Sequence, residues 1–245
     1  MRVCAAQFKP KSGDVDYNLA QHQRLAELAV RERVDVLFFS ELSLTGYEPT
    51  LAQSLAIDPN DRRFEPLQTL SRAHKLTIGI GLPTDASSGV RISLLWLHSD
   101  RTRELYSKQI LHADEQPFFV SGDHNLMIDA GQHKLATAIC YESLHSDHAQ
   151  SASALGADFY LASVAKDGGG LTKAQQHYPK IAKRYRMWVL MANAYGPCDN
   201  FIASGCSQIW NQDGEAIGGL GPAEDAIIGV DTASNRVIRA VSGAL

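Results

Sequence analysis

Short apolar runs alternate with helix-like stretches along this chain, and that alternation restricts the possible fold more than any other feature. Residues 36–39 form a continuous apolar run, which is typical of a strand covered on both faces. Residues 16–33 place their apolar side chains on one face of a helix. Runs at 92–97 and 103–108 are separated by a polar segment and predict a hairpin. Helix–strand alternation with hairpins predicts an α/β protein that has two mixed sheets with helices outside them.

The same patterns predict the remaining elements. Further helices are predicted at 64–74, about 145–155 and 173–186, and further strands at 3–8, 76–81, 126–130, 135–139, 159–163, 188–193, 207–210 and 226–230. Residues 211–214 read NQDG and predict a turn between the last two strands. Periodicity does not decide whether the two sheets pack face to face.

Composition excludes several classes of function. The chain has 245 residues and a net charge of −4, so nothing in its charge indicates a nucleic-acid partner. No run approaches the roughly 18 consecutive apolar residues of a membrane span, and the apolar N-terminal stretch is too short for a signal-peptide core. We therefore predict a cytoplasmic protein with no membrane contact. The four cysteines form no C-x-x-C pair and no zinc-like cluster with histidine, which predicts no metal site. In a reducing cytosol their thiols are expected to be free.

Three polar residues follow or close apolar strand-like runs: Glu41, Lys108 and Cys140. Active-site groups of open α/β folds tend to lie at strand ends, so each is a candidate. Each also has an ordinary interpretation. Cys140 could be a small buried hydrophobic residue, Glu41 a helix-terminal or solvated carboxylate, and Lys108 a surface lysine at a strand end. Together, however, a thiol, a carboxylate and an ammonium group are the minimum set for covalent acyl transfer.

Three segments, in this order, resemble the signature motifs of the nitrilase, or carbon–nitrogen hydrolase, superfamily. The segment FSELSLTGY around Glu41 is similar to the glutamate motif, YSKQIL around Lys108 to the lysine motif, and ICYE around Cys140 to the cysteine motif. MANAYG at 191–196 and GCSQI at 205–209 are similar to a late strand and the closing hairpin. Similarity therefore extends over nearly the whole chain, and we expect one carbon–nitrogen hydrolase domain over residues 1–245.

The resemblance implies a four-layer α-β-β-α sandwich and a cysteine-dependent hydrolase of small linear amides or N-carbamoyl compounds. By this analogy Cys140 is the nucleophile and Glu41 the general base, while Lys108 and the backbone N–H of Tyr141 stabilise the oxyanion. Glu115 matches an acidic residue that orients the lysine and the substrate, although the residues themselves do not favour it over the neighbouring aspartate. The family implies no metal or organic cofactor, water as the second substrate, and a homodimer or higher homo-oligomer.

Departures from the family pattern bear on the substrate. Tyr141 replaces the tryptophan common in nitrilases, which argues against nitriles as substrates. Tyr47, Glu142 and Lys166 are candidate substrate-binding residues, although a surface lysine is the favoured interpretation of Lys166. The segments 47–57, 116–122 and 166–172 are predicted to shape the pocket. The GGG run at 168–170 in the last of these segments indicates a mobile segment or a plain loop.

Two other functional hypotheses remain open at this point. A non-catalytic binding protein could retain the fold, although loss of a member of the Glu–Lys–Cys trio would be expected and none is lost. A thiol acyltransferase could pass its acyl group to an amine instead of water. The related lipoprotein acyltransferase branch also carries Cys-Tyr-Glu, but it requires membrane helices that this sequence does not contain.

Overall fold

In the computed structural model, strands and helices alternate through the described residues, which are 1–100 and 102–243. The strands are β1 (Arg2–Gln7), β2 (Val36–Phe38), β3 (Thr77–Ala86), β4 (Gly89–Leu97), β5 (Glu104–Ser107), β6 (Met127–Ala130), β7 (His133–Ile139), β8 (Phe159–Val164), β9 (Trp188–Asn193), β10 (Tyr195–Cys198), β11 (Phe201–Ser204), β12 (Gln208–Trp210), β13 (Ala216–Gly219), β14 (Ala226–Asp231) and β15 (Arg236–Val241). The helices are α1 (Val15–Arg31), α2 (Ala52–Leu55), α3 (Glu65–His74), α4 (Ser146–Ala154) and α5 (Gly168–Tyr185). Short 3₁₀ helices cover Pro49–Leu51, Arg62–Phe64 and Cys140–Leu144.

The strands form two large mixed sheets, as the alternation of elements predicts. The first sheet has the order β15-β14-β1-β2-β3-β4-β5, and its β1–β2 and β2–β3 pairs are parallel. The second has the order β13-β12-β9-β8-β7-β6, with β7, β8 and β9 parallel. The predicted hairpins β4–β5 and β6–β7 are antiparallel, and Arg101 of the first hairpin loop lies outside the described residues.

The apolar run in β2 shows why the sheets are buried on both faces. Val36 and Phe38 belong to a core between the two sheets, which also contains Leu161 and Leu190 of the second sheet. Leu37 points the other way, into a separate core. Since side chains alternate along a strand, a strand with a continuous apolar sequence can serve two cores at once.

Helices cover the outer face of each sheet. Leu25 of α1 and Leu67 of α3 pack into the core that contains Leu37. On the opposite side, Ala149 of α4 and Tyr178 of α5 pack against the second sheet. The order of layers is therefore helix, sheet, sheet, helix, and the predicted α-β-β-α sandwich is confirmed.

Helix α5 begins five residues before the predicted start at residue 173. The Asp167 carboxylate accepts a hydrogen bond from Gly170 N at 2.7 Å and caps the helix N-terminus. The GGG run therefore forms the first turn of α5, and its interpretation as a loop is wrong. Glycine has poor helix propensity, which hid this turn, whereas the preceding aspartate was the signal for it.

The last predicted strands, 207–210 and 226–230, lie in different sheets. The NQDG turn joins β12 to β13 within the second sheet, while β14 pairs with β1 in the first. The prediction of a turn between these two strands is therefore wrong. The strand β13 was missed because its sequence AIGG has little strand character, and β10 because glycine and proline interrupt it.

In the described part of the chain, no helix combines the length and apolarity that crossing a membrane requires.

Candidate functional site

Cys140 lies at a sharp turn at the carboxyl end of β7. It is the first residue of a 3₁₀ helix, and its φ of +46° lies in the left-handed region. A side chain there costs about 1–3 kcal/mol of strain, which the surrounding structure must offset. Cys140 is partly exposed, and its Sγ lies 3.7 Å from the carbonyl oxygen of Ala165 beyond β8. Because β7 and β8 are parallel neighbours, their carboxyl ends bring these residues together.

Glu142 holds this turn in place from behind. Its Oε1 accepts hydrogen bonds from Ile139 N at 2.7 Å and from the Tyr106 hydroxyl at 2.7 Å. Its Oε2 accepts from Gln109 N at 2.6 Å and Ile110 N at 3.3 Å. The side chain is fully buried and does not line the cleft described below. Glu142 therefore does not contact substrate as predicted. It connects the cysteine turn to the segment that follows Lys108 and so positions that turn.

Lys108 lies at the centre of a buried ionic cluster. Its Nζ donates hydrogen bonds to Glu41 Oε1 at 2.8 Å and to Glu115 Oε1 at 2.6 Å, and all three residues are at most 2% exposed. The surface interpretation of Lys108 and the solvated interpretation of Glu41 are therefore both wrong. A buried ammonium is retained at such a position only when it is paired, and here two carboxylates pair with it.

Glu115 has partners on both oxygens. Oε1 also accepts from the Tyr47 hydroxyl at 2.9 Å, and Oε2 accepts from His112 N at 2.8 Å. These contacts hold the carboxylate against Lys108. The neighbouring Asp114 is exposed and pairs with the His112 ring, so the structure distinguishes two acidic residues that the sequence did not.

The loop that carries Glu41 is clamped between the sheets. The Ser163 hydroxyl of β8 donates to Phe39 O at 2.8 Å and ties the loop to the second sheet. Gly81 of β3 lies so close that a Cβ there would be 2.7 Å from Leu42 N, and the position therefore requires glycine. Glu41 is thus fixed by backbone contacts on both sides.

The charges in the cluster shift the pKa values of its members. Burial raises the pKa of Glu41, and Lys108 opposes this rise. Burial, with the nearby Glu41 charge, raises the pKa of Cys140 to about 11, while Lys166 and Lys108 act to lower it. Glu41 Oε2 accepts no hydrogen bond within residues 1–100 and 102–243. Interaction with the nearby Cys140 thiol acts to lower the pKa of Glu41, and the Glu41 charge acts to raise that of Cys140. The thiol and a carboxyl group able to take its proton are therefore neighbours.

Lys166 contacts the thiol from the other side. It follows β8, is 4% exposed, and places Nζ 3.8 Å from Cys140 Sγ. Asn193 fixes its backbone, since Oδ1 accepts from Lys166 N at 2.8 Å and Nδ2 donates to Lys166 O at 3.1 Å. The favoured interpretation of Lys166 as a surface lysine is therefore wrong.

A cleft of about 310 Å³ opens over the thiol. Its size suits a small molecule. Of the predicted residues outside the trio, Tyr47, Glu115, Tyr141 and Lys166 line it. The complete lining is Tyr47, His112, Asp114, Glu115, Cys140, Tyr141, Leu144, Ala165, Lys166, Asp167, Gly170, Lys173 and Phe201.

Several cleft residues were not predicted from the sequence. Phe201 comes from the missed β10–β11 hairpin, and its ring packs edge-on against Tyr47 with centroids 5.4 Å apart. His112 packs against the ring of Tyr141. No local sequence signal marks Phe201 or His112, because each reaches the cleft only through the path of its loop.

Comparison with known proteins agrees with this geometry. A family model described as carbon-nitrogen hydrolase matches residues 2–240. Glutamine-dependent NAD(+) synthetases from Acinetobacter baylyi and Thermotoga maritima are each 26% identical, over 87% and 94% of this chain and 41% and 42% of their own lengths. The chain thus spans about two fifths of the length of these curated relatives.

Solved structures share the fold. A glutamate-to-glutamine mutant of the amidase from Nesterenkonia sp. AN1, which shows Michael addition of acrylamide at the active site cysteine, superimposes with a TM-score of 0.86 at 21% identity, covering 96% of this chain and 94% of that one. A mutant of the same amidase in complex with butyramide gives 0.85 at 21% identity, covering 96% and 92%. Glutamine-dependent NAD+ synthetase from Acinetobacter baumannii gives 0.83 at 22% identity, covering 96% and 46%.

Proposed function

This chain belongs to the carbon–nitrogen hydrolase family, and on that premise we propose that it is an amidase that hydrolyses a small linear amide or N-carbamoyl compound. One observation carries the proposal. The Cys140 thiol lies at a strained turn and lines a cleft of about 310 Å³, and the buried, paired Glu41 carboxylate and Lys108 ammonium act on it from behind the cleft wall. These are the nucleophile, the proton carrier and the oxyanion charge that acyl transfer requires.

Acylation begins with transfer of the Cys140 thiol proton to Glu41. The thiolate attacks the amide carbonyl carbon, and the C–O electron pair moves to oxygen, where Lys108 and the Tyr141 N–H stabilise it. When this intermediate collapses, the C–N bond breaks, and Glu41 gives its proton to the departing nitrogen. The products of this half-reaction are ammonia or an amine and a thioester on Cys140.

Deacylation uses the same groups. Glu41, now ionised, removes a proton from water as the oxygen attacks the thioester carbon. The second tetrahedral intermediate expels the thiolate, which recovers the proton from Glu41. Glu115 contacts Lys108 throughout, so its role is to hold the ammonium where the oxyanion forms.

Glutamine is a second candidate substrate. The curated relatives are glutamine-dependent enzymes, and glutamine ends in a primary amide small enough for the cleft. If glutamine is the substrate, the released ammonia is used by a synthetase activity that lies outside this domain. Glutamine therefore belongs in the substrate panel beside simple aliphatic amides, N-carbamoyl compounds and nitriles.

The test is ammonia release from this panel, measured for the wild type, Cys140→Ala and Cys206→Ala. Cys206 is a partly exposed thiol outside the cleft and supplies the matched control. We expect release by the wild type and Cys206→Ala and none by Cys140→Ala. The acyl-enzyme is observed separately as a mass increase on the Cys140 peptide after rapid acid quench.

Two outcomes would redirect the proposal. If no compound releases ammonia and Cys140 reacts slowly with iodoacetamide at neutral pH, the chain is a binding protein that retains the fold. If the thioester forms but persists in water and is discharged only by an added amine, the protein is an acyltransferase. The homodimer and the cytoplasmic location stay predictions, and sedimentation of the purified chain tests the former.

A further inference from the structure

Two buried lysines meet at this site, and their surroundings differ. Lys108 contacts two carboxylates. Lys166 is 4% exposed, yet no carboxylate oxygen lies within 4.0 Å of its Nζ in the described part of the chain, and its Nζ lies 3.8 Å from Cys140 Sγ. An unpaired buried ammonium is costly, so a negative partner is expected at the position it faces.

The charges of the site balance in a specific way. Glu41 and Glu115 carry two negative charges and Lys108 and Lys166 two positive charges, so the cluster is neutral while Cys140 is a thiol. Proton transfer from sulphur to Glu41 leaves that sum at zero. It moves one negative charge from a carboxylate held by Lys108 to a sulphur atom beside Lys166.

We propose that Lys166 is a catalytic residue that stabilises the Cys140 thiolate, so that each of the two lysines holds the negative charge in one state of the proton transfer. The S–H bond breaks, a Glu41 O–H bond forms, and both ammonium groups keep their protons. The proposal rests on the acyl-transfer function above, and it assigns to Lys166 a task that Lys108 alone does not cover. Lys108 is engaged with Glu115 at 2.6 Å, whereas Lys166 has the sulphur as its nearest side-chain partner. The buried Tyr178 of α5 and Glu41 also interact electrostatically with Lys166.

The position of Lys166 is suited to this task. Both backbone hydrogen bonds to Asn193 fix the start of the side chain, and Asn193 itself is anchored by donation from Nδ2 to Gly205 O at 2.8 Å. The cation is therefore held beside the sulphur before any substrate arrives. Such preorganised charge is more effective than a mobile surface group, because it needs no rearrangement during the reaction.

The experiment measures alkylation of Cys140 by iodoacetamide as a function of pH in the full chain, followed by peptide mass mapping so that the other cysteines do not contribute. Lys166→Met removes the charge and keeps most of the side-chain length. We expect its rate constant near neutral pH to fall by about tenfold or more and its pH midpoint to rise, since one pKa unit corresponds to a factor of ten. Lys166→Arg should stay within about threefold of wild type, since it keeps the charge.

Lys180→Met is the matched control, because Lys180 is an exposed lysine on α5 outside the cleft and the charge change is identical. Its alkylation profile should match wild type. Melting temperatures of all variants separate a lost charge from lost folding. If Lys166→Met does not fold, Lys166→Gln, which keeps a polar group there, takes its place in the same comparison.

Wild-type alkylation in folded Lys166→Met or Lys166→Gln would overturn the proposal. So would an unchanged thiol profile combined with loss of activity only on amides that bear a carboxylate, because Lys166 would then be a substrate anchor. Failure of the amidase function has a different signature. In that case no amide is hydrolysed by the wild type, yet the neutral variants still slow alkylation and support the role of Lys166.

Discussion

Cys4 and Cys140 are both thiols in strand-rich segments, but their surroundings differ completely. Cys4 lies in the middle of β1, is 0% exposed, and packs among apolar side chains between the first sheet and its helices. Burial is the main reason that its pKa lies far above the ordinary value of a thiol. Cys140 is also affected by burial, but it lies at a turn with positive φ, beside a carboxylate and two ammonium groups.

The surroundings of a cysteine, and with them its reactivity, therefore depend on its position relative to the end of the strand. A cysteine inside a strand meets the neighbouring strand: Cys4 pairs with Gly229, whose missing side chain leaves space for the sulphur. A cysteine one residue beyond a strand meets the loops at the sheet edge, where charged side chains converge. Four experiments test this comparison, in order of decreasing effect on turnover.

Exchange of each thiol for a methyl group should separate the two cysteines. Cys140→Ala should lower turnover of the best amide by at least about a thousandfold, because no nucleophile remains. Cys4→Ala should retain turnover but lose about 1 kcal/mol of stability, because it leaves a small cavity. Steady-state kinetics and urea unfolding measure the two effects. Comparable loss of turnover in both variants would contradict a special role for the turn.

Removal of the central ammonium should cost both activity and stability. In Lys108→Met the carboxylates of Glu41 and Glu115 face each other without a cation, so we expect turnover to fall by about a hundredfold or more. We also expect a loss of about 3 kcal/mol in the free energy of unfolding. Lys134→Met, at an exposed lysine on β7, is the control. Full stability in Lys108→Met would mean that the cluster is not a buried ionic network.

The pH dependence of turnover reports on Glu41. Burial raises its pKa, so the acid limb of kcat/KM should lie above the usual range of a glutamate, with activity lost as the pH falls through it. Glu115 adds to this rise by repulsion and also shares Lys108. Glu115→Gln should therefore move the acid limb to lower pH, by about one unit.

The matched control for this measurement is Asp129→Asn, which neutralises an exposed carboxylate on β6 outside the cleft. Its acid limb should coincide with that of the wild type. An acid limb that moves upward in Glu115→Gln would show that Glu115 supports the charge on Glu41 instead of opposing it.

The smallest effect on turnover is expected for Glu142→Gln. Glutamine has one acceptor oxygen and one NH2 donor, so it cannot accept from backbone N–H groups at both positions, as Oε1 does from Ile139 N and Oε2 from Gln109 N. We expect a loss of about 2 kcal/mol in stability and a turnover loss of about tenfold or less, since Cys140 is displaced but not removed. Thermal unfolding measures the loss of stability, with Glu215→Gln, at an exposed glutamate, as the control. A turnover loss equal to that of Cys140→Ala would make Glu142 more than a positioning residue.

Much of the fold could be predicted because its signals are local. The period of apolar residues predicts β9 at its observed bounds and α1 to within two residues, and motif order pointed to Glu41, Lys108 and Cys140. The failures have physical causes as well. The first turn of α5 was hidden by three glycines. The turn predicted between 207–210 and 226–230 was wrong because the partner of a strand is not encoded in its own residues, and β14 pairs with β1.

The site shows the same division. Sequence favoured a surface position for Lys166, but parallel pairing of β7 with β8 sets Ile139 opposite Ser163 and thereby brings the residues that follow each strand together. Glu142 was predicted to bind substrate, but its side chain turns away from the cleft although it adjoins Tyr141 in the chain. Composition and spacing do not indicate which way either side chain points.

The alternation of strands and helices, the two-sided burial of strands such as β2, and the types of chemical group available for catalysis all follow from the amino-acid sequence. Which charges are paired depends on the folded arrangement. Lys108 and Glu41 are 67 residues apart in the chain, yet their side chains are 2.8 Å apart. Periodicity acts over a few residues, whereas the burial and charge of a group depend on every segment that packs around it. Only after the two sheets assemble is Lys108 paired with two carboxylates while Lys166 faces the Cys140 thiol.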